Sequence, residues 1–156
     1  MKYVIAKTID EDVQALYVNN GNARIIAGAS DLMIDMETGK ISAQALVDIT
    51  KIDELKTIKI ENDELIIGAA ATLTEIARSP IVNKYYPSLA KGAGTVGSLQ
   101  IRNSATLMGN VITAQPAADA AMSVAPLAPI FEIVSKQGTR TATISEMYAG
   151  FGKTSV

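Results

Sequence analysis

Between Gly92 and Asp119 the chain runs GAGTVGSLQIRNSATLMGNVITAQPAAD, a stretch rich in glycine, alanine and small hydroxylated residues. Such a run fills a core poorly, because glycine costs backbone entropy and brings no side chain. What it does allow is close approach of backbone N–H groups to an anion. One base, Arg102, separates the glycine-rich half from the TLMGN half, and an acid, Asp119, closes the run. A shorter run of the same character, Ala27-Gly28-Ala29-Ser30-Asp31-Leu32, lies upstream. Two anion-cradling loops on one small chain predict a ligand carrying two phosphates.

Around these loops there must be a folded body. Hydrophobic residues make up 48% of 156 positions, enough for one core or for two small lobes sharing an interface. The net charge of −2, with acids and bases interspersed, argues against a nucleic-acid footprint. The sequence has no Cys, His or Trp. A Cys-ligated iron–sulfur cluster, a zinc site of the usual type and a His general base are therefore excluded within it. Any metal redox centre that the function needs is expected on another subunit. The N-terminal KYVIAKTIDEDV is too short and too acidic for a signal peptide. The apolar window from Ala114 to Val134 is interrupted by Asp119, Pro116, Pro126 and Pro129, so no bilayer span is expected and the cytoplasm is the expected location.

Taken in order, Thr8-x-x-Glu11 has capping-box spacing and predicts a helix through about Asn19, with Gly21 as its stop. Arg24 to Ala27 reads as a short buried strand that runs into the first loop, and Leu32 onward reads as a helix ending at Gly39. The first loop thus occupies a strand-to-helix turn, with Ser30 or Asp31 as the cap. Ala45 to Ile49 is a second strand, completing a β-α-β lobe with a boundary near Thr50 to Lys56. Thr57–Ile60 and Leu65–Ile67 flank the polar turn at residues 61–64, a hairpin signal. Thr72-Leu73-Thr74-Glu75 is a second capping box, Ser79-Pro80 breaks its helix, and Pro87 suits a first turn. A helix is expected from Ala117 to Val124, a hairpin around Lys136-Gln137-Gly138, and a last helix from Ser145. The closing residues after Gly152 offer no capped element.

Two motif matches fail on context. Gly92-Ala93-Gly94-Thr95-Val96-Gly97 fits G-x-G-x-x-G, but helical residues precede it and no amphipathic helix follows, whereas a dinucleotide fingerprint joins a strand to a helix. Gly152-Lys153-Thr154 resembles the end of a P-loop, yet Met147 stands where that motif requires glycine.

With both loops in view, the chain resembles the FAD-binding medium subunit of molybdenum hydroxylases, of the xanthine dehydrogenase and carbon-monoxide dehydrogenase type. The family pattern A-G-G-T-D-L meets Ala27-Gly28-Ala29-Ser30-Asp31-Leu32. The pattern Q-I-R-N-x-A-T-I-G-G-N meets Gln100-Ile101-Arg102-Asn103-Ser104-Ala105-Thr106-Leu107-Met108-Gly109-Asn110, and A-S-P-x-x-D meets Ala114-Gln115-Pro116-Ala117-Ala118-Asp119. The resemblance implies an α+β fold, a two-lobe flavin domain of the vanillyl-alcohol-oxidase type, with lobes at 1–55 and 56–156. It implies that the backbone of residues 27–31 and 106–110 clasps the FAD pyrophosphate, with Ser30 and Thr106 adding hydroxyl bonds. Leu32 and Leu107 belong to these two motifs, and Asn110 positions the second. Asp119 accepts from ribityl or ribose hydroxyls, Ile25 lies against the cofactor and Val96 near the flavin ring. No residue acts as a proton-transfer catalyst, and no metal is held. Molybdopterin and 2Fe-2S clusters belong to large and small partner subunits, from which electrons reach FAD here and then NAD or another acceptor.

The pattern is not met everywhere. Ala29 and Met108 replace family glycines, and either is strained if its position requires positive φ, Met108 the more so. The family subunit is nearly twice this length, so the chain is expected to be cut short at its C-terminus, to leave the flavin ring partly uncovered and to hold FAD weakly. Ser30, Asp31 and Asp119 also suit plain helix caps, and Arg102 suits a structural ion pair. The rival reading is a flavin-free structural or assembly module with the same fold.

Overall fold

Thr8 begins the first helix as its spacing predicts, its side chain accepting from the Glu11 amide at 3.2 Å. Glu11 reaches back one residue further than a capping box requires, accepting from the Lys7 amide at 2.7 Å. This helix, α1 (Ile9–Val18), connects β1 (Lys2–Ile5) to β2 (Ala23–Ile26). A second helix, α2 (Leu32–Glu37), leads to β3 (Ala45–Asp48). The computed structural model describes residues 1–115 and 118–155.

The three strands form a parallel sheet in the order β1-β3-β2, with Tyr3 opposite Leu46 and Ile25 opposite Val47. Strand β1 goes beyond the sequence expectation, which read no strand before α1. Ala6, Ala23, Ala45, Val47, Ile49 and Ile52 make the core of this part, covered by Ile9 and Leu16 of α1. Tyr3 Oη of β1 donates to Oδ2 of Asp48, the last residue of β3, at 2.6 Å. Burial opposes the Asp48 charge, but the bonds from Tyr3 and Thr50 hold its carboxyl below the usual carboxylate range.

Asp12 sits on the inner face of α1, 8% exposed, with Oδ1 buried and, among the described residues, without a hydrogen-bond partner. Burial pushes its carboxyl up to about 6. The folded state therefore favours the neutral acid. The resulting stability is fully present below the unfolded value of about 4 and is lost as pH rises through about 6. Asp12→Ala is expected to raise stability at pH 7 by about 1 kcal/mol, a discounted figure because some solvent reaches the group, and to change little at pH 4. Denaturant midpoints at the two pH values check this.

After a 3-10 turn at Asp53–Lys56 comes a hairpin, β4 (Ile58–Glu61) and β5 (Glu64–Ile67). Its turn is tighter than the sequence suggests: Asn62 and Asp63 alone make it, with φ of 50° and 63°. Positive φ at both central positions is the type I′ geometry that matches strand twist, and Asn and Asp tolerate it. Then follow α3 (Leu73–Arg78), α4 (Pro80–Tyr85) and α5 (Pro87–Thr95). The Thr72/Glu75 box is formed in both directions, and Ser79 ends α3 while capping α4.

The glycine-rich half of the central run is not a loop. Gly92 and Gly94 lie inside α5. A Cβ on Gly92 would collide with the Ser123 side chain of α8 (Asp119–Val124), so this glycine serves a helix crossing rather than an anion. Two one- to two-turn helices lie between, α6 (Leu99–Arg102) and α7 (Leu107–Ile112). The predicted start of α8 at Ala117 lies outside the described residues. The second hairpin, β6 (Ile130–Ser135) and β7 (Gly138–Thr143), is followed by α9 (Ile144–Met147), which Thr143 and Glu146 cap reciprocally. The final residues, read as uncapped, form a small hairpin, β8 (Tyr148–Gly150) and β9 (Lys153–Thr154). Leu73, Ile76, Val82, Leu89, Val111 and Met147 form the second core, against which Ile58, Leu65, Phe131 and Ile133 of the two hairpins pack. Lys136 ties β6–β7 back to α1, donating to Gln14 Oε1 at 3.0 Å.

Candidate functional site

The two loops singled out by the sequence meet. Gly28 follows β2 and presses its Cα face on the backbone of Ser104 and Ala105, where a Cβ would strike the Ser104 carbonyl oxygen and lie 2.6 Å from Ala105 Cα. Only glycine permits that approach. Ala29, next along, has a φ of 59°. The positive φ suspected at this family glycine is thus real, and an L-residue there is strained by roughly 1 kcal/mol. Ala29→Gly is expected to recover about that amount, less the entropy that a glycine adds to the unfolded chain; urea midpoints measure the balance. Met108 carries no such strain, because it lies in the first turn of α7 and packs on the second core.

Neither Ser30 nor Asp31 caps α2 with its side chain. Asp31 is the N-cap residue but makes no side-chain capping bond, and Ser30 Oγ donates to Asp31 Oδ2 at 3.2 Å. The plain-cap alternative therefore fails for this pair. The carbonyls of Ala29 and Asp31 start the helix instead, accepting from Met33 and Asp35. Leu32 opens α2, half-buried.

On the facing side, Thr106 caps α7. Its Oγ1 accepts from the Gly109 amide at 3.0 Å, and its carbonyl from Asn110 at 3.1 Å. Leu107 donates to Ala71 O at 3.4 Å. Much of the donor capacity of 106–110 is thus already used by the fold. Thr106 is 4% exposed, and its hydroxyl still has a proton to give. Asn110 Oδ1 accepts from the Ala121 amide at 2.9 Å, which joins α7 to α8. Asp119 is the first residue of α8 and lies exposed; Ala118 holds the N-cap position. Val96 ends α5, half-buried, and Ile25 is 46% exposed on β2.

Arg102 is structural, though among the described residues it forms no ion pair: Nη1 donates to the carbonyls of Val96 and Gly97, at 3.0 and 2.8 Å, closing the turn between α5 and α6. The residues of the two turns, 27–31 and 104–110, carry backbone amides and mostly small side chains, with a carboxylate at Asp31. Such a set suits a diphosphate held by backbone rather than by ion pairs, so the residues fit a dinucleotide such as FAD. Among the described residues no cluster of acids could hold a metal ion, and no helix is long and apolar enough to cross a membrane. An open groove of about 800 Å³ between β1, α1 and the β6–β7 turn contains none of these site residues.

Residues 1–156 match the family described as the FAD binding domain in molybdopterin dehydrogenase. The chain belongs to that family. A nicotinate dehydrogenase FAD-subunit from Eubacterium barkeri is 34% identical over 128 residues, covering 82% of this chain and 43% of the relative. The carbon monoxide dehydrogenase medium chain of Hydrogenophaga pseudoflava is 30% identical over 150 residues, covering 96% of this chain and 52% of its own. Carbon monoxide dehydrogenase from the same organism superposes on all of this chain with a TM-score of 0.95 and 27% identity, using 54% of its own chain. Quinoline 2-oxidoreductase from Pseudomonas putida 86 does so at 0.94 and 28%, again over 54% of its chain. The α+β flavin-domain fold read from the motifs is the fold observed, and this FAD-binding domain spans about half the length of the curated relatives it matches.

Sequence reasoning passed over the supports of the second loop. Thr72 was legible only as a helix start, yet it also forms an antiparallel bridge with Thr106. Asn103 lies within the family motif, but nothing in its spacing announced a partner 29 residues away at Thr74.

Proposed function

We propose that this chain is the FAD-binding part of a molybdenum hydroxylase-type dehydrogenase, an oxidoreductase subunit that binds FAD and no metal. The observation that carries the reading is the backbone contact of Gly28 with Ser104 and Ala105, which brings two small-residue turns together with little side chain between them. Family membership along the whole chain supports the same ligand. In this reading the amides of residues 27–31 and 106–110 hold the diphosphate. Ser30 and Thr106 supply hydroxyls, Asn110 fixes the second turn, and Asp119 takes ribityl or ribose hydroxyls. Ile25 and Val96 give apolar contact. In this reading the chain divides into lobes at 1–55 and 56–156, and the diphosphate lies where they meet.

FAD, when bound, supplies exchange between single-electron and paired-electron transfer. The chain itself binds, orients and excludes water; with no Cys or His it offers no ligands for iron–sulfur clusters. Its partners are then a molybdopterin-binding large subunit and an iron–sulfur small subunit, its acceptor NAD or another carrier, and its location the cytoplasm. The flavin-free alternative loses one support, since Met108 is unstrained.

Titration with FAD, followed by flavin fluorescence and competed with ADP, tests the reading in the full chain. FAD is expected to bind and ADP to displace it. Ser30→Asp and Gly109→Val should each weaken binding while the fold persists, the second because a Cβ there would sit 3.0 Å from Thr106 Oγ1. A folded wild-type chain that takes up neither ligand would sink it.

A further inference from the structure

The segment that meets the first loop is mounted from behind. Leu73 donates to Ala105 O at 2.9 Å, Leu107 to Ala71 O at 3.4 Å, and Thr72 bridges Thr106 in antiparallel fashion. Beside this ladder Thr74 Oγ1 donates to Asn103 Oδ1 at 2.7 Å. The start of α3 is itself rigid, because Thr72 and Glu75 satisfy each other's backbone amides. Asn103 also ends α6, but its amide does that by donating to Leu99 O at 3.0 Å, which leaves the side chain to Thr74. On the other side of the mount lie Ser104 and Ala105, the residues that Gly28 touches.

The ladder is backbone, so no side-chain change removes it. Thr74 and Asn103 form the side-chain bond that runs beside the ladder. We propose that they are positioning residues: without touching the ligand, they set the gap between the 27–31 loop and the 104–110 turn, and with it the affinity for a diphosphate. This rests on the FAD-binding reading above. A one-atom change at Thr74 then acts on a site that it does not border, because Asn103 precedes Ser104 directly and cannot shift without carrying that carbonyl away from Gly28. The hydroxyl rather than the bulk of Thr74 is what matters, so serine can replace it and valine cannot.

Thr74→Val, Asn103→Ala, their double variant and Thr74→Ser are compared in the full chain, with FAD and ADP as probes. Each of the first two is expected to weaken both ligands by about five- to tenfold, the scale of one lost hydrogen bond. The double variant should be no weaker than the worse single, since the two residues act through one bond. Thr74→Ser should restore wild-type affinity. Unchanged affinity in both singles, or full additivity in the double, overturns the proposal. If the wild-type chain binds neither probe, the functional reading fails, and amide hydrogen exchange decides the positioning claim alone. Faster exchange at residues 27–31 and 104–110 in Thr74→Val supports it, and unchanged exchange overturns it.

Discussion

Gly28→Ala is expected to abolish useful flavin binding while leaving both cores intact. The added methyl would strike the Ser104 carbonyl oxygen and lie 2.6 Å from Ala105 Cα, and both are backbone atoms that cannot rotate away. The two turns must separate by about an ångström or more, at a cost of roughly 2–4 kcal/mol for an overpacked contact. Donors aimed at one ligand no longer converge after such a shift. A loss on the order of 100-fold in FAD affinity follows, at about 1.4 kcal/mol per decade. Titration of the variant measures it. Far-ultraviolet dichroism should remain that of the wild type, since Leu73, Ile76 and Val47 lie elsewhere. Affinity within a factor of two of wild type would show that the contact is not part of the site.

Gly68→Ala should do the opposite, damaging the fold rather than the ligand contacts. Gly68 lies just after β5, where a Cβ would strike Leu55 O and lie 2.8 Å from Leu55 Cα. Its amide donates to Thr57 O at 2.8 Å, and Ala70 donates to Leu55 O at 2.8 Å. Leu55, Ala69 and Ala70 belong to the first core and Ala71 to the second, so the clash falls at the junction of the two. Destabilisation of roughly 2–4 kcal/mol is expected. It would appear as a lower urea midpoint, with FAD affinity per folded molecule nearly unchanged. An unaltered midpoint would mean that the 3-10 turn at Asp53–Lys56 gives way freely.

Elements whose starts are written in local chemistry were legible. Thr8, Thr72 and Pro87 each mark a helix that forms, because a cap or an N1 proline acts within one turn of itself. The 58–67 hairpin was visible from its polar turn, although the choice of Asn62 and Asp63 as the turn pair depends on register. Strand β1 escaped notice because parallel pairing with β3 joins residues more than forty positions apart and leaves no short-range sign. Gly92 misled for a related reason. A glycine spared for a backbone donor and a glycine spared for a neighbouring helix look alike until Ser123 is placed beside it. At the candidate site, the two glycine-containing turns could be picked out and the resemblance implied their convergence on one ligand, but the residues that touch, Gly28 with Ser104 and Ala105, are a tertiary fact. The strain at Ala29 was foreseeable from the position it fills; the ease of Met108 was not, since it follows from α7 beginning at Leu107.

The abutment of Gly28 on Ser104 acts mechanically as a stop. Backbone atoms already in contact resist further approach steeply, whereas withdrawal meets only the softer resistance of the hydrogen bonds that hold each turn. Thermal motion across this seam is therefore one-sided: the turns can part and return, yet cannot close past the observed spacing. A pair of spin labels placed on either side should report a skewed distance distribution, sharp at its short edge and tailing outward.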